Sequence, residues 1–361
     1  MGLERSNGVV TSKAGEIVVR SRIAFVLLSL LARGAAAQQS PFDFLDASYS
    51  ATIVSNGNTG WISLGFLPDG RIVRSNAAST LWILDRTSTT PYHGDNMWSA
   101  TTLHTSSYLA GYGMAYHDGY LYVNTQQGIR KIDPATGATT TLANSAVGEY
   151  GLQVTSDGKI IYNATDGWVH KYDLATSTDA QIYYSGTFND DLSLDGAGNI
   201  FVAALNGCRV DILNPSGGVI QQVDVHSRAN ACADGITFSS GNLFASMESG
   251  DVDKFAFSGA NYTGTVTESN IATGKACYGD FGGAGYDGSF YVNRFCQQYS
   301  DGTEGAGWSL IRIEPNVVND NFGFLWDQPL EQDSAPEPAT MLLMATGLAG
   351  VAAVARRRKV A

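Results

Sequence analysis

The sequence predicts an all-β chain folded as a six-bladed β-propeller, and three observations predict it. Six segments share a tight turn followed by an apolar strand: Asp69-Gly70 ahead of Ile72, Asp118-Gly119 of Leu121, Asp157-Gly158 of Ile160, Gly198-Asn199 of Ile200, Gly241-Asn242 of Leu243 and Asp287-Gly288 of Phe290. Those apolar residues lie 49, 39, 40, 43 and 47 positions apart, and a period in the low forties rich in short strands marks propeller blades. A second strand, alternating and ended by turn-formers, follows each turn, as in Arg130-Lys131-Ile132-Asp133-Pro134 and His170-Lys171-Tyr172-Asp173.

The inner strands precede the turns, at Ile62–Leu67, Gly113–Tyr116, Gly151–Thr155, Asp191–Leu194, Gly235–Phe238 and Gly279–Gly285. Their small residues suit the crowded centre where blades converge. Six blades then span 60–315, with an insertion at Gln297–Gly307 in the sixth. Residues 41–59 and 316–330 supply the strand that closes the ring and leaves no long exposed edge. Seven blades is the alternative, should the terminal strands form a sheet of their own.

The N-terminus reads as a secretory signal: Arg20 and Arg22, the apolar run Ile23–Ala32, and the small residues Gly34–Ala37. The run is too short to span a bilayer. Cleavage is expected after Ala37, giving a signal peptide at 1–37 and a propeller at 38–330. Residues 1–19 are a long lead, and a start near Val18 or Val19 is the alternative.

At the other end Pro336-Glu337-Pro338, closing a linker at 331–338, precedes the charge-free stretch Ala339–Ala355 and the basic tail Arg356-Arg357-Arg358-Lys359 within 356–361. As a helix, 339–355 is about 25 Å long, the short end of a membrane span. The cations would remain cytoplasmic and the propeller outside. This triple arrangement resembles the PEP-CTERM sorting signal. The resemblance implies an exosortase-type processing enzyme as partner, a transient membrane tether through the C-terminal helix, and delivery to the cell surface or extracellular matrix. A permanent anchor is the alternative.

Residues 38–355 carry 13 Lys and Arg against 32 Asp and Glu. Phosphate binding needs clustered cations, so nucleic acid and anionic lipid surfaces are excluded as partners. The chain has no G-x-S-x-G elbow, no phosphate-cradling Gly-Lys-Ser/Thr and no zinc-spaced His or Cys. The first-blade insertion Thr87–Ala110 holds Tyr92, His93, Trp98 and His104, as a ligand face or as loop packing.

The stretches Asp191–Ala203 and Asp234–Ala245 resemble the blades of NHL-repeat proteins and of the regucalcin/gluconolactonase family. The second resemblance implies a divalent cation in the axial channel, here Ca²⁺ or Mg²⁺ on Asn189, Asp191, Asp234 and Asp280, with Asp190 beside them. The family's blade-one Glu has no counterpart in Gly60-Trp61-Ile62, and Glu149 is a substitute in a later blade. Strand-end carboxylates that cap backbone amides are the alternative.

Four cysteines in an exported chain favour disulfides. Of three pairings, Cys208–Cys232 and Cys277–Cys296 join neighbouring elements. The function expected is a binding or scaffold module taking extracellular polysaccharide or protein. A metal-dependent lactonase-like hydrolase or lyase, and a purely structural matrix protein, are the alternatives.

Overall fold

A computed structural model describes residues 42–44, 46–57, 61–76, 80–105, 113–226, 231–274 and 277–316. The expected signal peptide, membrane span and sorting residues Pro336–Pro338 and Arg356–Arg358 lie outside them.

Among the described residues the strands form six antiparallel sheets arranged as six blades, and a two-stranded sheet, Gln297–Gln298 with Glu304–Gly305, in the sixth-blade insertion. The inner strands are Trp61–Phe66, Met114–His117, Gly148–Val154, Asn189–Leu194, Ala233–Ser239 and Gly279–Ala284. Each abuts the inner strand of the next blade, the sixth abuts the first, and the ring is closed. The seven-blade alternative fails because the terminal strand joins an existing sheet. Tyr49–Gly57 pairs along Trp308–Pro315 as the outermost strand of blade six, from Tyr49 against Pro315 to Gly57 against Trp308. First and last segments of the domain thereby share one blade. A short strand, Phe42–Phe44, adds a fifth strand to blade five by pairing with Ala272–Gly274.

Interblade packing explains the sequence period. Among the described residues the apolar core falls into six clusters, one per seam between blades. Ile72, Leu121, Ile160, Ile200, Leu243 and Phe290 each enter a different one and are at most 2% exposed. The repeat is therefore one buried anchor per seam, and burying such a side chain stabilises by about 1.5–3 kcal/mol.

Close approach of the inner strands demands a missing side chain at Gly151. A Cβ there would lie 2.5 Å from the Leu192 amide nitrogen and 2.9 Å from the Asp191 carbonyl carbon. Backbone cannot retreat as a flexible side chain can. Gly151→Ala is expected to cost about 1–3 kcal/mol, read as a lower urea midpoint at unchanged slope. An unchanged midpoint would show that the strands are farther apart than described.

The first-blade insertion is a long hairpin, Thr80–Tyr92 with Asp95–Thr105, irregular between Asp85 and Thr89. Its tip meets the sixth-blade insertion: the His93 ring stacks on Tyr299 at 3.8 Å, and the Ser300 amide donates to Asp95 at 3.2 Å. His93 packs on Tyr299, and Trp98 packs against the core between blades six and one. The hairpin straps the first blade to the last across the point of ring closure.

Candidate metal centre at the channel mouth

All inner strands run in the same sense, so their first residues ring one mouth of the axial channel. Deeper in, a cavity of about 110 Å³ is lined by Leu64, Met114, Val154, Leu194, Phe238 and Gly283, one from each blade. Tyr116, Gln153, Ser193 and Tyr286 also line it, so the channel below the acidic mouth is mixed in character.

Register decides which residues stand at that mouth. Leu192 pairs with Val202, Ile236 with Ala245 and Gly282 with Val292, each partner being the third residue from a seam anchor. Two positions earlier stand Asp190, Asp234 and Asp280, on three consecutive blades. Their carboxylate oxygens lie within 4.8 Å of one another, and all three residues are buried.

Three acids so close, and so far from water, resist ionisation together. Burial first, then hydrogen bonding and repulsion from Asp234, hold the Asp190 carboxyl well above the usual range. Burial, with repulsion from Asp234 and Asp191, does the same to Asp280. Burial also raises Asp234, with the Glu248 charge adding to it. A hydrogen bond between the Asp190 and Asp234 carboxyls adds to the rise at Asp190.

Of the four residues expected from the sequence, Asp234 and Asp280 meet, and Asp190 stands where Asp191 was expected. Asp191 points across the seam instead. Its Oδ1 accepts from the Leu192 amide at 2.8 Å and its Oδ2 from the Ile236 amide at 3.0 Å. Burial pushes its pKa up to about 7, against the lowering effect of those amides. Asp191 is thus a bracket between blades four and five. It works with Ser193, whose hydroxyl accepts from the Phe238 amide at 2.9 Å.

Asn189 is 4% exposed and donates to the Gly167 carbonyl at 3.3 Å, while its Oδ1 has no hydrogen-bond partner. Asn163, 1% exposed, ends the second strand of blade three and donates to the Asp190 carbonyl at 3.1 Å. Its Oδ1 is likewise unpartnered. Asn124 does the same one blade earlier, donating to the Tyr150 carbonyl at 2.6 Å. Asn124 and Asn163 thereby fix the start of the next inner strand, and Asn189 ties its own strand back to blade three.

Around the triad stand residues that the sequence did not single out. The Tyr278 hydroxyl donates to Glu248 Oε1 at 2.7 Å, and Glu248 Oε2 accepts from the Cys232 amide at 3.3 Å. Both disulfides frame this side of the mouth. Cys208 and Cys232 are bonded with Cα atoms 4.7 Å apart, and Cys277 and Cys296 with Cα atoms 5.7 Å apart. Cys232 lies two residues before Asp234, and Cys277 three before Asp280. The buried Arg294 donates to the Cys277 carbonyl at 3.0 Å and to Gln298 Oε1 at 2.6 Å. Glu248 and Tyr278 become neighbours only across the seam of blades five and six, so no local pattern announces them.

No curated protein matches the chain. Among solved structures it is similar to a gluconolactonase from Xanthomonas campestris, at TM-score 0.57 and 12% identity over 77% of this chain and 96% of that one. It is also similar to a carbohydrate-active enzyme of family AA12 from Trichoderma reesei, at 0.56 and 11% over 76% and 98%. A PQQ-bound aldose sugar dehydrogenase from Streptomyces coelicolor scores 0.54 at 13% identity over 74% and 99%. Their activities differ and the identities are low, so the likeness is one of fold. Residues 334–359 match the family model described as the PEP-CTERM protein-sorting motif. That motif implies an exported protein, sorted by way of the membrane and processed by an exosortase. The chain is a six-bladed β-propeller carrying a PEP-CTERM sorting motif at its C-terminus.

Proposed function

We propose that the chain is exported behind residues 1–37 and delivered to the cell surface or extracellular matrix through 331–361. There its propeller, 38–330, is a binding module whose channel mouth holds a divalent cation. The observation that carries this is the convergence of three buried carboxylates, Asp190, Asp234 and Asp280, within 4.8 Å. Oxygen donors without His or Cys suit the hard ions Ca²⁺ and Mg²⁺. A cation would offset the burial and mutual repulsion that raise the acids' pKa values. The ligand is an extracellular polysaccharide or protein. The acidic surface disfavours nucleic acid.

A metal-dependent hydrolase is the second reading. What favours it is the Tyr278–Glu248 pair next to Asp234, a phenol and a carboxylate hydrogen-bonded beside the cation position. Turnover separates the two. Binding alone gives no Ca²⁺-dependent hydrolysis of glucono-δ-lactone. Turnover that is lost in Asp234→Ala replaces the binding reading with the hydrolase one.

Sorting has its own test. Deleting residues 336–361 is expected to release the protein into the periplasm in soluble form, scored by fractionation and immunoblot. Retention equal to that of the intact chain contradicts the role given to the tail.

A further inference from the structure

We infer that the mouth face binds an extended, uncharged glycan, laid from blade three across the acidic mouth to blade six. This rests on the cation-holding reading above and names the ligand class within it.

The observation is the placement of aromatic side chains. Trp168 opens the third strand of blade three and pairs with Tyr184 at the end of its outer strand, with ring centroids 5.2 Å apart. On blade six, Tyr278 precedes the inner strand, Phe295 follows the second strand and Trp308 opens the third. Tyr278 and Phe295 lie edge to face at 5.0 Å, and Phe295 packs on Trp308. By strand direction all five stand at the acidic end of the channel, and in a ring of six, blades three and six are opposite. Tyr184 is 53% exposed, Phe295 43% and Tyr278 38%. Clustered exposed rings mark a contact surface, since each leaves apolar area in water.

The chemistry selects the ligand. With most of the triad's charge offset by its cation, the mouth offers ring faces and hydrogen-bond acceptors. Sugar units present both complements: C–H faces that lie against the electron-rich face of an aromatic ring, and hydroxyls that donate to carboxylate and amide oxygens. Polyanions are repelled by the surplus of acidic side chains. Attachment also leaves the face free. The described chain departs from the far end of blade six, where the Asn316 side chain donates to the carbonyls of Ala47 and Tyr49, on the side opposite the mouth.

The test is calorimetric titration of the exported protein, in millimolar Ca²⁺, with cello-, malto- and manno-oligosaccharides from one to six units. At least one series should bind about tenfold more tightly as hexasaccharide than as monosaccharide. Phe295→Ala and Tyr184→Ala, both on exposed side chains, should each weaken the hexasaccharide about tenfold, the loss expected for one aromatic anchor. The monosaccharide should lose less. A flat length dependence, no binding in any series, or unchanged affinity in either variant overturns the inference. So does tighter binding of hexalysine, which would make the face a site for cationic peptides. Ca²⁺ titration of the same samples keeps the two readings apart. Ca²⁺ binding without a length effect overturns the glycan alone, and a length effect without Ca²⁺ binding overturns the cation alone.

Discussion

At pH 8 the propeller gains about 2.7 kcal/mol of stability when Ca²⁺ is a hundredfold above its dissociation constant. That corresponds to a rise in melting temperature of about 4–5 °C for a domain of this size. The pH dependence follows from the acids at the mouth. Asp190, Asp234 and Asp280 have pKa values raised in the folded state, by burial first. Carboxyls that hold protons more tightly when folded contribute stability fully present below their unfolded pKa, near 4. That contribution is lost as pH rises through the folded values. Asp191, pushed up to about 7, extends the loss to neutrality. Without Ca²⁺, then, these groups make the domain less stable at pH 8 than at pH 5. The Ca²⁺ shift is largest at pH 8 and fades toward pH 5, where protons compete for the same oxygens. Asp234→Ala removes one repelling charge and one donor. Its melting temperature without Ca²⁺ should hold or rise, and the Ca²⁺ shift should vanish. A shift that survives in the variant places the ion elsewhere.

The disulfides account for the second large effect. Cys208–Cys232 and Cys277–Cys296 close loops of 24 and 19 residues. On the chain-entropy account each stabilises by about 3 kcal/mol. Replacing both members of either pair with Ser is expected to lower the melting temperature by about 5 °C. Loss of Cys277–Cys296 should also weaken Ca²⁺ binding, because Arg294 and that bridge together hold the approach to Asp280. The check is thermal denaturation of both double variants with and without Ca²⁺. Melting within a degree or two of the native chain would contradict a structural role.

Much of the fold is legible because each blade is a local unit with local turn chemistry. The Asp-Gly and Gly-Asn turns and the anchor that follows each mark every seam. Gly241, at φ +77°, needs a residue without a Cβ in blade five's two-residue turn. That same turn separates Asp190 from Asp191 as the partner of Asp234. In blade five Phe238 pairs with Leu243, four residues apart in between, whereas in blade four Leu194 pairs with Ile200 across five. Counting back from the anchors sets Asp191 level with Asp234, while counting by strand register sets Asp190 there. One residue in a strand reverses the side to which a side chain points. Asp191 therefore brackets the seam and Asp190 faces the mouth. Phe42–Phe44 was not legible as part of blade five, because three residues carry no period. Glu248 and Tyr278 were hidden for a different reason: their partnership exists only between blades.

The central claim is that Asp190, Asp234 and Asp280 together hold one divalent cation. The direct test is a crystal structure of the propeller grown in millimolar Ca²⁺ at pH 8, with anomalous differences measured to locate calcium. The account predicts a single peak at the channel mouth, about 2.3–2.6 Å from one oxygen of each of the three carboxylates. No peak there, with Asp190 still hydrogen-bonded to Asp234 in the presence of excess Ca²⁺, would contradict it.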